Sequence, residues 1–122
     1  HFSEALNPLL RELRIHKPLT MVGSSGTFDT LSEIYCFQNK MTYHPDDPET
    51  PLTFASFQET YGKLIVKTRK ERMEIEGMIE MRVDMIVVAS CLIRFILDHH
   101  HFENIRVSSY SLKEGILASL KN

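Results

Sequence analysis

Phe2, Leu6, Leu9, Leu10 and Leu13 recur three and four residues apart, with Arg11, Glu12 and Arg14 filling the other side. This spacing predicts an amphipathic helix over Phe2–Ile15 that ends by Lys17, because Pro18 disfavours helical backbone at the residue before it. Leu19-Thr20-Met21-Val22 is a short apolar, partly β-branched run of the kind that suits a buried strand. The loop Gly23-Ser24-Ser25-Gly26-Thr27 follows directly. Helical spacing then resumes with Phe28, Leu31, Ile34, Tyr35 and Phe37, and Asp29 and Glu33 lie in the early turns, where a helix N-terminus favours negative charge.

Residues Lys40 to Pro51 hold Pro45, Pro48 and Pro51 together with Asp46, Asp47 and Glu49, a loop composition in which no regular element is expected. Leu52 to Lys67 returns to helical period through Phe54, Phe57, Tyr61, Leu64 and Ile65, and a short helix is expected over Lys70–Ile75. Val83 to Leu97 is apolar nearly all the way round, which predicts a central helix buried on several faces. Asn104–Ser108 reads as a second strand. Ser109 to Leu120 reads as a closing helix with Leu112, Ile116, Leu117 and Leu120 on one stripe.

The alternation of helices and strands predicts an α/β chain in which about two parallel strands are joined by helical crossovers. Two strands make a poor sheet, so further strands are expected from outside the chain. The length, 122 residues, is one domain's worth, and it opens at His1 with neither an initiator Met nor a signal-peptide pattern, which suggests an excised piece. Spare apolar faces on the long helix and unpaired strand edges predict self-association, most simply as a homodimer.

Composition narrows the function. With 43% hydrophobic and 25% charged residues the chain is ordinary for a soluble globular protein. A net charge of -2 and a pI near 6.3 give no global attraction to nucleic acid or an anionic membrane. The uncharged run Met85–Ile93 is far short of the ~20 residues that span a bilayer. Cys36 and Cys91 sit in apolar surroundings without a CxxC partner, the pattern of buried thiols in a reducing, cytoplasmic setting.

Four features carry candidate chemistry. Glycines in the Gly23–Thr27 loop allow backbone amides to turn toward an anion at the start of a helix, a phosphate or nucleotide cradle. The same spacing fits a turn capped by Ser25 or Thr27, and the loop lacks the Lys of a P-loop. Lys63, Lys67, Arg69, Lys70 and Arg72 form a basic run that either tracks a polyanion or is a solvated face, with Glu71 and Glu74 interrupting it. His99-His100-His101 point in different directions on a helix and suit its C-terminal dipole better than one metal. Arg82 and Asp84 either contact the partner half or substrate, or form a helix-start ion pair, and Met73, Met78, Met81 and Met85 fit core or interface filling.

Three separated stretches, MVGSSGTFDTLSEI, MRVDMIV and IRVSSYSLKEGIL, together resemble the second half of the exopolyphosphatase/guanosine pentaphosphate phosphatase family. Gly23, Ser24, Ser25, Gly26 and Thr27 match its glycine-rich loop, Arg82 and Asp84 match the residues opening its long helix, and Leu112, Glu114, Gly115 and Leu117 match its closing motif. Ala89 stands where that family usually has Gly, Ser109 and Tyr110 replace Asp-Gly, and Lys113 replaces an Arg that would present a planar fork. The resemblance implies a helix-rich piece of an actin-like, ribonuclease-H-like half-domain. It implies a parent that releases terminal phosphate from polyphosphate or guanosine pentaphosphate with magnesium. It places the catalytic Glu and the metal ligands in an N-terminal half outside this sequence, so the chain alone is expected to be inactive. Gly23 to Thr27 become the phosphate or nucleotide site, with Arg82, Asp84, Lys113 and Glu114 as secondary residues. The alternative is a non-catalytic binding module on the same fold.

Overall fold

Pro8 decides how the chain begins. Having no backbone N–H to give a preceding turn, it sits in the first turn of a helix, and the predicted Phe2–Ile15 helix is therefore two: α1, Phe2–Ala5, and α2, Asn7–His16. Lys17 closes α2 in the left-handed conformation, its N–H donating to the Leu13 carbonyl. The computed structural model describes residues 2–24 and 26–109. Ser25, and the closing helix from Tyr110 onward with Lys113 and Glu114, lie outside the described residues.

Strand β1, Thr20–Ser24, leads into α3, Gly26–Gln38. After a loop come β2, Glu49–Thr50, and three helices: α4, Phe54–Val66, α5, Arg69–Met73, and α6, Glu80–Val83. The long α7, Met85–His99, then runs to β3, Asn104–Ser108. The sheet order is β1-β3-β2. β1 and β3 pair in parallel with Met21 opposite Ile105 and Gly23 opposite Val107, as the α/β pattern predicts. β2 is antiparallel to β3, with Glu49 opposite Ser108.

β2 corrects the expectation of no element between Lys40 and Pro51. Arg106 on β3 donates through Nε and Nη2 to the two Glu49 carboxylate oxygens, at 2.7 and 2.6 Å, and Ser109 N–H donates to the Pro48 carbonyl. The strand forms because β3 has an open edge and a bidentate partner for Glu49, not because Glu49–Thr50 prefer extended backbone. A second correction concerns β1, expected to be buried: Val22 is 65% exposed and Leu19 54%. Among the described residues, the face of the sheet that is covered is the one carrying Gly23, Ile105 and Val107.

That covered face meets Leu31 and Ile34 of α3, Phe57 and Leu64 of α4, Val83 of α6, and Ile86 and Ile93 of α7 in one core cluster. Leu10, Leu13 and Phe102 form a second, against Phe95 and Ile96. The long apolar helix meets both clusters, but it is fully buried along one stripe rather than on several faces. It breaks at Asp84, and below the break Ile86, Ser90 and Ile93 form one buried stripe while Met85 and Val88 stay mostly exposed. Thr53 caps α4 and a reciprocal Thr68/Glu71 capping box starts α5. Cys36 is buried, Cys91 half-buried, and both thiols are free.

Candidate functional site

β1 and β3 run parallel and end side by side, Ser24 opposite Ser108, so the Gly23–Thr27 loop leaves the carboxyl edge of a parallel pair. Open α/β sheets place ligands at this edge. Gly23 belongs to β1, and Gly26 and Thr27 to the first turn of α3, the end at which a helix leaves N–H groups without intrahelical partners and carries the positive end of its dipole.

Among the described residues the glycine with a left-handed backbone is Gly77, at φ 98°, not Gly23 or Gly26. These two glycines answer to close approach instead. A Cβ built on Gly23 would overlap the ring of Phe28, and one on Gly26 would overlap the guanidinium of Arg82. Phe28 packs half-buried against the main core, so the Gly23 contact belongs to folding. Arg82 reaches from α6 across to the start of α3 and brings a cation to the positive end of that helix. Its guanidinium makes no hydrogen bond or ion pair among the described residues.

Arg82 and Asp84 do not meet. Two residues apart at the α6 to α7 break, they face different neighbours, and Asp84 Oδ1 accepts from Arg69 Nε at 2.9 Å. This hydrogen bond holds the Arg69 guanidinium above its ordinary pKa. A pair between Arg82 and Asp84, one of the two sequence readings, is therefore not made.

An open hollow of ≈ 220 Å³ lies beside Gly26, and Arg82, Asp29, Glu33 and Tyr43 line it. Asp29 and Glu33, four apart on α3, lie within the helix that packs on the strand, as expected, and both line this hollow half-buried. Burial, and then the charges of Asp29 and Glu33, push the Tyr43 phenol up to about 12, so its hydroxyl stays neutral. Tyr43 carried no sequence signal, since it arrives from the Pro-rich loop by tertiary folding alone.

The other candidates disperse. Lys63 pairs with Glu59 at 3.2 Å, Arg69 with Asp84, and Arg72 Nε donates to the Leu64 carbonyl. Lys63 and Lys67 share a cleft of ≈ 400 Å³ with Glu71, Glu74 and Glu76, so the basic run is not a track of one sign. His99 bonds through Nδ1 to the Phe95 carbonyl and His100 through Nε2 to the Pro18 carbonyl, at 2.8 and 2.7 Å, 82 positions away in the latter case. Among the described residues no three His, Cys, Asp or Glu side chains converge as a metal set.

The whole chain, residues 1–122, matches the model of the Ppx/GppA phosphatase family. It is 27% identical over 101 residues to a guanosine-5'-triphosphate,3'-diphosphate pyrophosphatase of Aeromonas salmonicida (strain A449), a match covering 83% of this chain and 19% of that protein. Its fold superposes on the crystal structure of an exopolyphosphatase from Cytophaga hutchinsonii ATCC 33406 with a TM-score of 0.89 and 39% identity, covering 98% of this chain and 38% of that one. The chain thus spans about a fifth of the first relative and under two fifths of the second. Its helix-rich α/β architecture with a parallel strand pair is that of a part of an actin-like fold. On the strength of the match along its full length, this chain belongs to the Ppx/GppA phosphatase family.

Proposed function

We propose that the protein carrying this chain hydrolyses phosphoanhydrides, releasing terminal phosphate from polyphosphate or guanosine pentaphosphate, and that this chain supplies one phosphate-binding wall of the site and no catalytic base. The observation that carries this reading is the Arg82 guanidinium resting on Gly26 at the N-terminus of α3, at the carboxyl edge of the parallel strands. Phosphate oxygens there accept from backbone N–H groups of the first helical turn and from a planar guanidinium, two donor sets that both favour negative charge. Held in this way, the phosphate's negative charge, and any that develops during transfer, meets fixed positive donors.

The chemistry of water attack lies elsewhere in this reading. Asp29 and Glu33 line the hollow and confine an anion to its Arg82 side, and this reading gives neither of them the role of activating water. Magnesium, implied by the family resemblance, would stabilise charge on the transferred phosphate. The described residues do not by themselves offer a set of three ligands for it, and no step here is routed through the metal. Ser25, Lys113 and Glu114 keep the roles that the resemblance implies. A second copy of the chain is the proposed partner, through the exposed Met85 and Val88 of α7. No helix among the described residues is long and apolar enough to cross a membrane.

The test is phosphate release by the purified protein, with magnesium, from polyphosphate and from guanosine pentaphosphate. Arg82→Gln is expected to lower kcat/KM by about ten- to a hundredfold, the scale of a lost charge-assisted hydrogen bond set. A protein that binds either compound but releases phosphate from neither would be the non-catalytic module instead.

A further inference from the structure

We propose that Asp84 is a positioning residue that acts through Arg82, by pinning the break between α6 and α7 to α5 through Arg69. The inference rests on the phosphate-site reading for its functional consequence. Its geometry stands on its own.

Three observations converge. Asp84 occupies the break itself: it follows the last residue of α6 and precedes Met85, the first of α7, and its side chain makes no cap bond to either helix. Its carboxylate instead accepts from Arg69 Nε at 2.9 Å, across 15 positions of sequence. Arg69 opens α5, whose start is fixed by the Thr68/Glu71 capping box, so the anchor end of the pair is itself held. Val83, next to Asp84, is fully buried and holds the backbone of the break against the core. With its C-terminal end fixed at these two adjacent points, the one turn of α6 has little freedom to rotate, and Arg82 projects onto Gly26.

The division of labour follows from the helical phase. Residues two apart on a helix point to different sides, so an Arg-x-Asp sequence cannot direct both charges at one ligand while the backbone stays helical. Here the arginine side meets the start of α3 and the aspartate side meets α5. Asp84 thus earns its place in the motif without touching phosphate, a role different from the substrate contact that the sequence alone suggested.

The test uses the intact protein and a readout that needs no ligand. An NOE between the Arg82 guanidinium protons and Gly26 Hα is expected in the wild type. It should weaken in Asp84→Asn and in Arg69→Gln, and return in the charge-swapped pair Arg69→Asp with Asp84→Arg. Titration with inorganic phosphate, followed at the Gly26 and Thr27 amides, should show each single variant binding about threefold more weakly. That is within the roughly fivefold that an exposed ion pair can supply. The double variant Arg69→Gln with Asp84→Asn should bind no worse than either alone. Retention of the NOE in Asp84→Asn would overturn the proposal whatever phosphate does. So would weakened binding in Asp84→Asn but not in Arg69→Gln, which would put Asp84 on the ligand. Wild-type protein that shows the Asp84-dependent NOE yet binds no phosphate removes the phosphate-site reading and leaves the pinning intact.

Discussion

The guanidinium of Arg82 occupies the space that a side chain on residue 26 would need, so Gly26 and Arg82 are a matched pair. A helical position normally gains up to ~1 kcal/mol on changing Gly to Ala. The obstructing group here is the far end of a flexible side chain, able to swing away at small cost. Gly26→Ala is therefore expected to leave the unfolding free energy within ~1 kcal/mol of wild type while weakening phosphate binding about tenfold, the scale of a lost charge-assisted contact. Paired urea denaturation and phosphate titration check it. A variant that binds normally would separate Gly26 from the site.

Gly23→Ala is expected to behave in the opposite way. The Phe28 ring that covers Gly23 packs half-buried on the core, so making room for the added methyl means giving up part of that packing. A loss of ~1–3 kcal/mol in unfolding free energy is expected. Chemical denaturation of the two glycine variants side by side measures the contrast.

The Glu49–Arg106 pair predicts a local response to acid. Hydrogen bonding to Arg106 holds the Glu49 carboxyl below its ordinary range in the folded protein. A carboxyl with a lowered folded pKa adds stability above its unfolded pKa, and that contribution disappears as pH falls through the lowered value. The β2 to β3 pairing is thus expected to be intact at neutral pH and to loosen in acid below the usual carboxylate range. Amide exchange at Thr50 and Val107 follows the transition, and Arg106→Gln should already show the loosened state at neutral pH.

Self-association through α7 is expected to depend on Val88, which is 57% exposed on an otherwise core-building helix. Sedimentation equilibrium of the 122-residue chain should show a dimer that Val88→Glu shifts toward monomer. A wild-type chain that stays monomeric at high concentration would remove the homodimer from the proposed partners.

Elements with local causes were legible in the sequence. Ile105 and Val107 alternate with polar neighbours, and β3 forms over the expected Asn104–Ser108; α4 and α5 begin at side-chain caps written into Thr53 and into Thr68 with Glu71. What depended on distant partners was not. Glu49 becomes part of a strand because of an arginine 57 positions away, and Val22 is exposed because no helix among the described residues packs on its face of the sheet. The loop and the Arg82-x-Asp84 stretch were found as motifs, but their geometry was hidden. Helical phase sends the two charges to different sides, Asp84 itself keeping helical backbone angles, but which neighbour each one meets is decided by tertiary packing.

The register that sets Thr20 beside Asn104 has a consequence in time as well as in space. The middle strand of the sheet is the last described one to leave the ribosome, and both of its neighbours precede it, one of them by 84 positions. Until residue 108 is available, β1 and β2 have no partner among the described strands, and the helices between them precede it along the chain. Closing so long a loop carries an entropic cost that grows by only about 0.6 kcal/mol per doubling of length, so the final sheet suffers little. What it affects is the order of events: the local contacts of α3, α4 and α7 are expected to form before β3 pairs with its two neighbours. Contacts of such long range slow folding, which makes the arrival of β3 the expected rate-limiting step for this chain.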